Sequence, residues 1–551
     1  MKQLIKKIDI KIFIFTLILI AITIINILNY TGKNLEGNIN WLFMESQVFG
    51  VPEDIAKEQG IEPYFSEKSG AGWDGQFHYY ISNDILATKG YDANVDSPSY
   101  RWQRIGLPLI AKILSIITFQ KNVNIPTYIF ANLILYGIAI YVLARYFKEK
   151  QKSILYVLPW ALCLGVQITI RHGLVDAAAD ALFIVAFISV LKNKYLKYCI
   201  FMTLACLTRE GYTLIAFMIF LLSFFGQIDK EKKYKISFSA LFAIPGVFFL
   251  AWYGYVTLRF HILPAQQAYG ITQVYMTGFI QYIVKAAQDG NVIEMFSLCI
   301  YAVSIILMTI ITYKKGYEKR IYWSICPYVI LIGSFGPTVM SHYSGYLKGI
   351  SILFALLPIM MIEYENMKVW NKNIIIAFLL ITTISSIYLG TKFNIHSYPT
   401  SKFMNNGTNL ENGTPLKDFS SSIDIINHKE RPYANIPMKG FFTKDYEVYT
   451  VKVKNNSNEQ WPRDSQKDGR YAVYLSYHWL DANDKSKILQ DGLRTAIPKN
   501  IQPGEEFESQ MYIEYPNKKG DYILRISLVQ EGVAWFYNAG GAYKDINIKV
   551  E

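Results

Sequence analysis

Long apolar segments separated by short polar ones occupy the first 391 residues of the chain. A helix of about 20 apolar residues crosses the hydrocarbon core of a bilayer. The pattern therefore predicts a polytopic α-helical membrane protein with about eleven transmembrane helices. The predicted spans are residues 11–30, 126–146, 153–170, 175–191, 195–208, 211–226, 236–257, 293–313, 321–338, 346–363 and 373–391.

The apolar segment 105–119 is short, follows Pro98 and contains Pro108. Lys and Arg concentrate in cytoplasmic loops, and the basic segments of this chain all fall on one side only if residues 105–119 do not cross. We therefore predict an interfacial or re-entrant helix at 105–119, on the outer side of the membrane. The basic segments are residues 2–11, 145–152, 192–197, 229–235 and 314–320.

The same charge pattern sets the orientation. The predicted extracytoplasmic loop spans residues 31–125, and its part 31–100 carries eleven acids and four bases. Counting the spans places the N-terminus in the cytoplasm and everything after residue 391 outside. The first apolar run lacks a small-residue cleavage site and is long enough to span, so we predict a retained helix rather than a signal peptide.

The end of the chain has a different pattern. Short alternating runs such as YEVYTVKVKN and DYILRISLV follow residue 441, separated by turn-forming stretches such as QPGEE. This pattern predicts an extracytoplasmic all-β sandwich at 441–551, joined by a linker at 392–440 to the membrane domain at 1–391. Trp461, Trp479 and Trp535 are either core residues of that domain or platforms on which sugar rings stack.

Composition supports the membrane class: 52% of the 551 residues are hydrophobic and only 18% are charged, against about a quarter charged in soluble proteins. The net charge of +12 comes from short loops between apolar segments, so it predicts contact with a membrane and not with nucleic acid. We interpret the five cysteines as small apolar core residues, because each lies in or beside an apolar segment.

Two stretches of the sequence then suggest a chemistry. The outer loop contains DGQFHYY and, further on, DSPSYRWQRIGLPLIA. Downstream, an acid-bearing helix start (VDAAADA) is followed by a basic turn and by a short helical hairpin with TREG at its tip. In this order and on these sides of the membrane, the stretches resemble the GT-C glycosyltransferases, and the resemblance covers roughly residues 1–391.

The resemblance implies an integral membrane enzyme that transfers a sugar from a polyprenyl-phosphate donor to an extracytoplasmic acceptor, a cell-envelope glycan or glycolipid. It also implies that an acid of the first outer loop activates the acceptor hydroxyl, and Asp74 matches that position. A carboxylate can take the proton of a sugar hydroxyl as the new bond forms. The alternative for Asp74 is a helix cap. Gln76 and His78 either hydrogen-bond the sugar or are ordinary loop residues.

The basic residues of the outer junctions are the candidates for holding the donor phosphate. Arg101 and Arg104 are three residues apart and would share a helix face; the alternative is contact with lipid headgroups. Lys348 stands where the resemblance implies a basic residue against the phosphate, with His342 and Tyr343 beside it. The alternative for this group is an interfacial anchor.

Three further charged residues lie at predicted helix ends. Arg209 and Glu210, at the tip of the hairpin, either line a polar cavity or pair with each other to brace the helices. Asp176 either orients substrate, or binds a divalent cation together with Asp74, or is held by the dipole of its own helix. The sequence implies no other cofactor and no other metal site.

Two different functional classes compete with the transferase. The first is a transporter or flippase of lipid-linked sugars, which would carry polar residues near the middle of several spans. The second is a non-catalytic envelope-assembly protein whose C-terminal domain does the binding.

Overall fold

The structure is a computed structural model. It describes residues 9–35, 37–45, 49–61, 72–228, 236–268, 270–364, 367–392, 414–429, 446–463, 471–498, 500–516 and 519–550. The basic segment 229–235, most of the segment 2–11 and parts of the predicted linker lie outside these ranges. The chain divides into two compact units, each of which is described by itself: unit 1 is residues 1–29 and 77–390, and unit 2 is residues 30–76 and 391–551.

Helices form almost all of unit 1. Continuous runs of apolar side chains favour the long ones, of which Ile236–Phe260 tolerates Pro245 in its interior. Caps fix helix ends: the Asn124 side chain, for example, accepts the N–H of Thr127 at the start of a helix with proline in its first turn. The α-helices of the chain are α1 (Ile10–Asn34), α2 (Glu53–Gln59), α3 (Asp74–Asn83), α4 (Pro98–Trp102), α5 (Gly106–Ile117), α6 (Ile125–Glu149), α7 (Leu158–Ala161), α8 (Leu164–Arg171), α9 (Asp176–Leu191), α10 (Tyr195–Thr208), α11 (Tyr212–Phe224), α12 (Ile236–Phe260), α13 (Thr277–Gln288), α14 (Val292–Glu318), α15 (Cys326–Gly333), α16 (Pro337–Met340), α17 (Tyr343–Gly349), α18 (Leu353–Glu363) and α19 (Val369–Lys392).

Short 3₁₀ helices join several of these elements. They are Ile39–Trp41, Tyr91–Asn94, Ile154–Val157, Pro264–Gln267, Arg320–Ile325 and Phe536–Ala539.

Among the described residues, six helices are long and apolar enough to cross a membrane. A seventh span is formed if the bent pair Ile154–Ala161 and Leu164–Arg171 counts as one, with a bend of 61°. The chain therefore has the helices of a multi-pass membrane protein. The remaining predicted spans coincide with shorter helices, among them α9 with 16 residues and α10 with 14. The six long helices are Ile10–Asn34, Ile125–Glu149, Ile236–Phe260, Val292–Glu318, Tyr343–Glu363 and Asn371–Thr391.

The C-terminal part of unit 2 is all β, with antiparallel sheets. Among the described strands, one sheet has the order β1-β2-β6 and the other has β4-β3-β7-β8, with β5 also paired to β3 and β9 to β7. The strands are β1 (Ser421–Lys429), β2 (Tyr446–Asn455), β3 (Val473–Asp481), β4 (Ile488–Asp491), β5 (Thr495–Ala496), β6 (Glu506–Glu514), β7 (Gly520–Gln530), β8 (Ala534–Trp535) and β9 (Tyr543–Val550).

Strand β1 lies inside the range predicted as a linker. It pairs with β2 and contributes Ile423 to the core. The sequence SSIDIINHK has few apolar residues, so its partner strand, and not its own alternation, makes it a strand.

One hydrophobic cluster takes side chains from both sheets, including Val451 and Met511 from one and Leu524 from the other. Trp461 and Trp479 are fully buried in it, so the core interpretation is confirmed for both. Trp535 differs, because it is only partly buried, against a small cluster that includes Tyr474 and Val529.

The cysteines follow the predicted pattern only in part. All five are free thiols, and Cys163, Cys199 and Cys206 are buried as expected. Cys299 is exposed and Cys326 is half-buried, so the interpretation as core residues is wrong for Cys299. An apolar segment predicts a helix, but it does not say which side of that helix faces other protein.

Candidate functional site

Two glycines bring the charged helix ends of unit 1 together. A Cβ on Gly106, the first residue of α5, would lie 2.8 Å from the backbone nitrogen of Thr208 at the end of α10. A Cβ on Gly165 in α8 would lie 2.6 Å from the Cα of Lys348 in α17. Only glycine allows backbones to approach so closely, so these positions fix the start of α5, just after Arg104, and the end of α17, which carries Lys348.

Arg104 and Glu210 form a bidentate ion pair. Nε of Arg104 donates to Oε2 of Glu210 at 2.8 Å, and Nη2 donates to Oε1 at 2.5 Å. The guanidinium also donates to the hydroxyl of Tyr100 and lies 4.4 Å from the centre of its ring. The fork of Arg104 is thus held in one orientation, and its side chain is only 14% exposed.

Arg209 pairs with a different acid. Its Nη1 lies 3.0 Å from Oδ1 of Asp176, the first residue of α9, and the two side chains are 14% and 9% exposed. The contact is an ion pair and not an aligned hydrogen bond, since Nη1 has no hydrogen-bond partner. The alternative that Arg209 and Glu210 pair with each other is therefore wrong: each pairs with a residue of another segment. Arg209 has an extended backbone, in which neighbouring side chains point to opposite sides.

Lys348 is a third cation of the same group. The charges of Arg209, Lys348, Arg104 and His78 all act on the carboxylate of Asp176. Among the described residues, no hydrogen bond or ion pair engages the ammonium of Lys348. We call Arg104, Arg209, Lys348, Asp176 and Glu210 the charged cluster; it holds three cations against two acids.

Asp180 lies one helical turn below Asp176. One oxygen accepts from the hydroxyl of Tyr212 at 2.5 Å, and the other accepts from Ser351 at 2.5 Å and from the indole of Trp160 at 3.3 Å. Sequence reasoning left Asp180 out of the site. Its position four residues after Asp176 was the available signal, but its partners come from three distant segments.

Arg101 pairs with a different acid from the one that Arg104 pairs with. Its Nε and Nη2 donate to the two carboxylate oxygens of Asp96 at 2.8 and 2.7 Å, and the guanidinium lies 5.1 Å from the ring centre of Phe77. Each arginine fork is thus engaged by its own acid. The expectation that the two arginines share a helix face is wrong, because Gln103 and Arg104 lie beyond the last turn of α4. That they hold one phosphate stays a prediction.

His342 and Tyr343 belong to a brace around Glu294, at the start of α14. The backbone N–H of Tyr343 donates to Oε1 of Glu294 at 2.9 Å, and the hydroxyl of Tyr346 donates to Oε2 at 2.7 Å. His342 caps α17, with Nδ1 accepting from the N–H of Ser344, and its Nε2 lies 3.9 Å from Glu294. These contacts join α14 to α17 and hold the helix that carries Lys348.

Asp74 and Gln76 open helix α3, whose first turn falls in unit 2. The side chain of Asp74 is partly exposed, and the amide of Gln76 donates to the carbonyl of Trp73 at 3.0 Å. Asp74 is the first helical residue, where its charge is favoured by the helix dipole. His78, on the next turn, is buried and belongs to unit 1. The role of Asp74 as a base stays a prediction.

No group of three or more His, Cys, Asp or Glu side chains within the described ranges could hold a metal ion. Asp74 and Asp176 belong to different units, and a divalent cation between them also stays a prediction.

The charges of the cluster are of a kind that could attract an anion. Three cations face Asp176 and Glu210 in a unit made of apolar helices, and the nearby Asp180 carboxylate also acts on Arg209. Within the described part of the chain, Lys348 is the member of the charged cluster with no ion-pair partner of its own. Burial strengthens the attraction between such a site and a phosphate, since the effective dielectric is well below that of water.

No family model matches the chain, and no curated protein matches it either.

Proposed function

We propose that the chain is an integral membrane glycosyltransferase of the GT-C type. It transfers a sugar from a polyprenyl-phosphate donor to an acceptor outside the cytoplasm, a cell-envelope glycan or glycolipid. The observation that carries the proposal is the charged cluster of unit 1. Among the residues that the structure describes, Lys348 has no ion-pair partner, and Nη1 of Arg209 makes an unaligned contact with Asp176.

The cluster suits the leaving group of this reaction. As the bond between the sugar and the lipid phosphate breaks, negative charge develops on the phosphate oxygens, and fixed cations lower the energy of that transition state. Arginine stays charged in apolar surroundings and binds phosphate oxygens with two parallel hydrogen bonds. We assign Arg209 and Lys348 as the ligands of the phosphate. Arg104 is held by Glu210 and contributes only its positive charge at a distance.

Asp74 is the proposed general base. It takes the proton of the acceptor hydroxyl as the hydroxyl oxygen forms its bond to the anomeric carbon. The bond from that carbon to the phosphate oxygen breaks in the same step, and the lipid phosphate leaves with the electron pair. A single displacement of this kind inverts the anomeric centre.

The topology belongs to the same proposal. Eleven spans with 105–119 at the interface put the N-terminus in the cytoplasm, and they put the loop 31–125 and the C-terminal β region outside. The two antiparallel sheets would then face each other as a β-sandwich around their shared core.

The test is a gene deletion complemented with Asp74→Asn. Mass spectrometry of lipid-linked sugars should show the same polyprenyl-phosphate sugar accumulating in the deletion and in the variant, while the purified variant still binds polyprenyl phosphate. Asp92→Asn is the matched control, because Asp92 is a partly exposed acid of the same loop, and it should restore the normal lipid pattern.

Two outcomes would contradict the proposal. If Asp74→Asn restores the normal pattern as fully as the unaltered chain, the residue is not the base. If the donor accumulates only in the cytoplasmic leaflet of the deletion strain, the chain is a flippase. A scaffold, by contrast, would tolerate both the Asp74 change and a change of Arg209 to methionine.

A further inference from the structure

A row of polar side chains crosses the larger sheet of the β region. The strand register places Asp491 of β4 opposite His478 of β3, His478 opposite Arg525 of β7, and Arg525 opposite Asp545 of β9. Neighbours of these residues along the strands, such as Trp479 and Leu524, are in the hydrophobic core. Since side chains alternate between the two faces of a sheet, the row lies on the face away from that core.

Three aromatic rings lie over this row. Trp535, Tyr537 and Tyr543 follow one another with ring centres 5.7 and 6.1 Å apart. The guanidinium of Arg494 lies 4.9 Å from the ring centre of Trp535, and that of Arg525 lies 5.0 Å from Tyr537 and 4.4 Å from Tyr543. We call these five residues and His478 the aromatic face.

The aromatic face is fixed in place before any ligand arrives. Nδ1 of His478 lies 2.9 Å from the hydroxyl of Tyr537, and its Nε2 lies 3.1 Å from Asp491. Arg494 donates to Asp491 and, at 2.6 Å, to Glu531. Side chains that are already ordered lose little entropy when a ligand binds.

The face nevertheless remains open to solvent. Tyr543 is 46% exposed and Trp535 is partly exposed. Contiguous aromatic rings that stay partly exposed are typical of a contact surface.

The charges of this surface select the kind of ligand. Its basic side chains and its acids balance, so it has no net field to attract a nucleic acid, an anionic lipid or an acidic polymer. Its paired carboxylates and guanidinium groups instead offer many donors and acceptors in fixed positions. The basic residues are Arg494, Arg525 and Lys485, and the acids are Asp491, Glu531 and Asp545.

We propose that the aromatic face binds an uncharged glycan. The C–H faces of a sugar ring are apolar and pack on aromatic rings, while its hydroxyls need hydrogen-bonding partners. The exposed end of the row supplies one, because the side chain of Asp491 is 57% exposed. The inference goes beyond the transferase and does not depend on it, because it concerns binding by unit 2 without any donor lipid.

The test measures binding of fluorescent oligosaccharides to the full chain in nanodiscs. The probes are hexamers of β-1,4-linked glucose and of β-1,4-linked N-acetylglucosamine, with a sulfated oligosaccharide for comparison. We expect at least one uncharged probe to bind with a Kd of about 1 mM or lower, and Tyr543→Ala and Trp535→Ala each to weaken it about tenfold.

Tyr543→Phe keeps the ring and should retain binding. Ile426→Ala removes a side chain that is 50% exposed on strand β1 of the other sheet, and should also leave binding unchanged. The thermal unfolding midpoint identifies any variant that has lost its fold, and Tyr543→Ala, at an exposed position, carries the test if Trp535→Ala does not fold.

The proposal is overturned if neither uncharged probe binds at about 1 mM, or if only the sulfated probe binds. It is also overturned if an uncharged probe binds equally well to Tyr543→Ala and to the unaltered chain, since the site would then lie elsewhere.

Discussion

Replacing Asp176 with asparagine separates a cluster that binds an anion from one that only braces helices. The substitution keeps the size of the side chain and removes its charge. It leaves Arg209, buried with its side chain 14% exposed, without its counter-ion. Removing one partner of a buried ion pair costs about 3–5 kcal/mol. Because the contact is a single unaligned one, 3.0 Å long, we expect a loss of stability near the lower end, about 3 kcal/mol.

The same substitution should strengthen the binding of a phosphate. A phosphate oxygen at about 3 Å on the other side of the Arg209 guanidinium lies roughly 6 Å from the Asp176 carboxylate. At an effective dielectric of about 20, the repulsion between the two is about 3 kcal/mol. Complete relief would tighten binding about 100-fold, and solvent screening reduces the gain. We therefore expect an increase in affinity between about tenfold and 100-fold.

The assay is the binding of polyprenyl monophosphate, without a sugar, to the purified chain in nanodiscs, together with its thermal unfolding. Glu363→Gln is the matched control, because it breaks an ion pair with Lys150. Glu363 ends the span Tyr343–Glu363, fifteen residues and roughly 20 Å from Lys348 near its start. The control should lower stability without changing affinity. If Asp176→Asn lowers stability and leaves affinity unchanged or weaker, the cations only brace the helices.

Two further predictions concern packing and pH. Gly165→Ala should lower the free energy of unfolding by about 1–3 kcal/mol and weaken phosphate binding, because the new Cβ would push on the backbone of Lys348. The control Gly246→Ala, whose Cβ would have nothing within 4 Å, should be neutral or stabilising. Equal losses of stability in the two variants would refute the packing argument. Partial burial by itself raises the pKa of Asp491, but hydrogen bonds from His478 and Arg494 outweigh it and lower the pKa to about 2. The ionised carboxylate therefore stabilises the β region above the unfolded pKa of about 3.9, and this contribution is lost as the pH falls through about 2. Urea unfolding should show Asp491→Asn less stable than the unaltered chain at pH 7, with the difference shrinking as the pH falls towards 2. A difference that stays constant with pH would contradict this.

Much of the secondary structure could be predicted from local pattern. The hairpin that carries Arg209 and Glu210 was expected at 195–208 and 211–226, and its helices are Tyr195–Thr208 and Tyr212–Phe224. Apolar periodicity and turn residues act over a few positions, so they are visible in the sequence. Strand β1 was not predicted, because its own residues carry little of that pattern.

The partners of the charged residues were decided by the tertiary structure. The sequence brought Arg209 next to Glu210 and Arg101 close to Arg104, and in both cases nearness along the chain suggested a shared role. In the fold, Arg209 faces Asp176 and Glu210 faces Arg104. The backbone of Arg209 is extended, so the side chains of Arg209 and Glu210 point to opposite sides.

By itself, the sequence determined where apolar helices and alternating strands form, and which charged residues lie at their ends. Only the tertiary structure decided that Trp461 and Trp479 are core while Trp535 stays partly exposed. It also decided that the charge of Lys348 acts on Asp176, with no ion pair to Lys348 from any described residue. The physical reason is that burial and ion pairing depend on which distant segments pack together, and close approaches such as that of Gly165 to Lys348 set that packing.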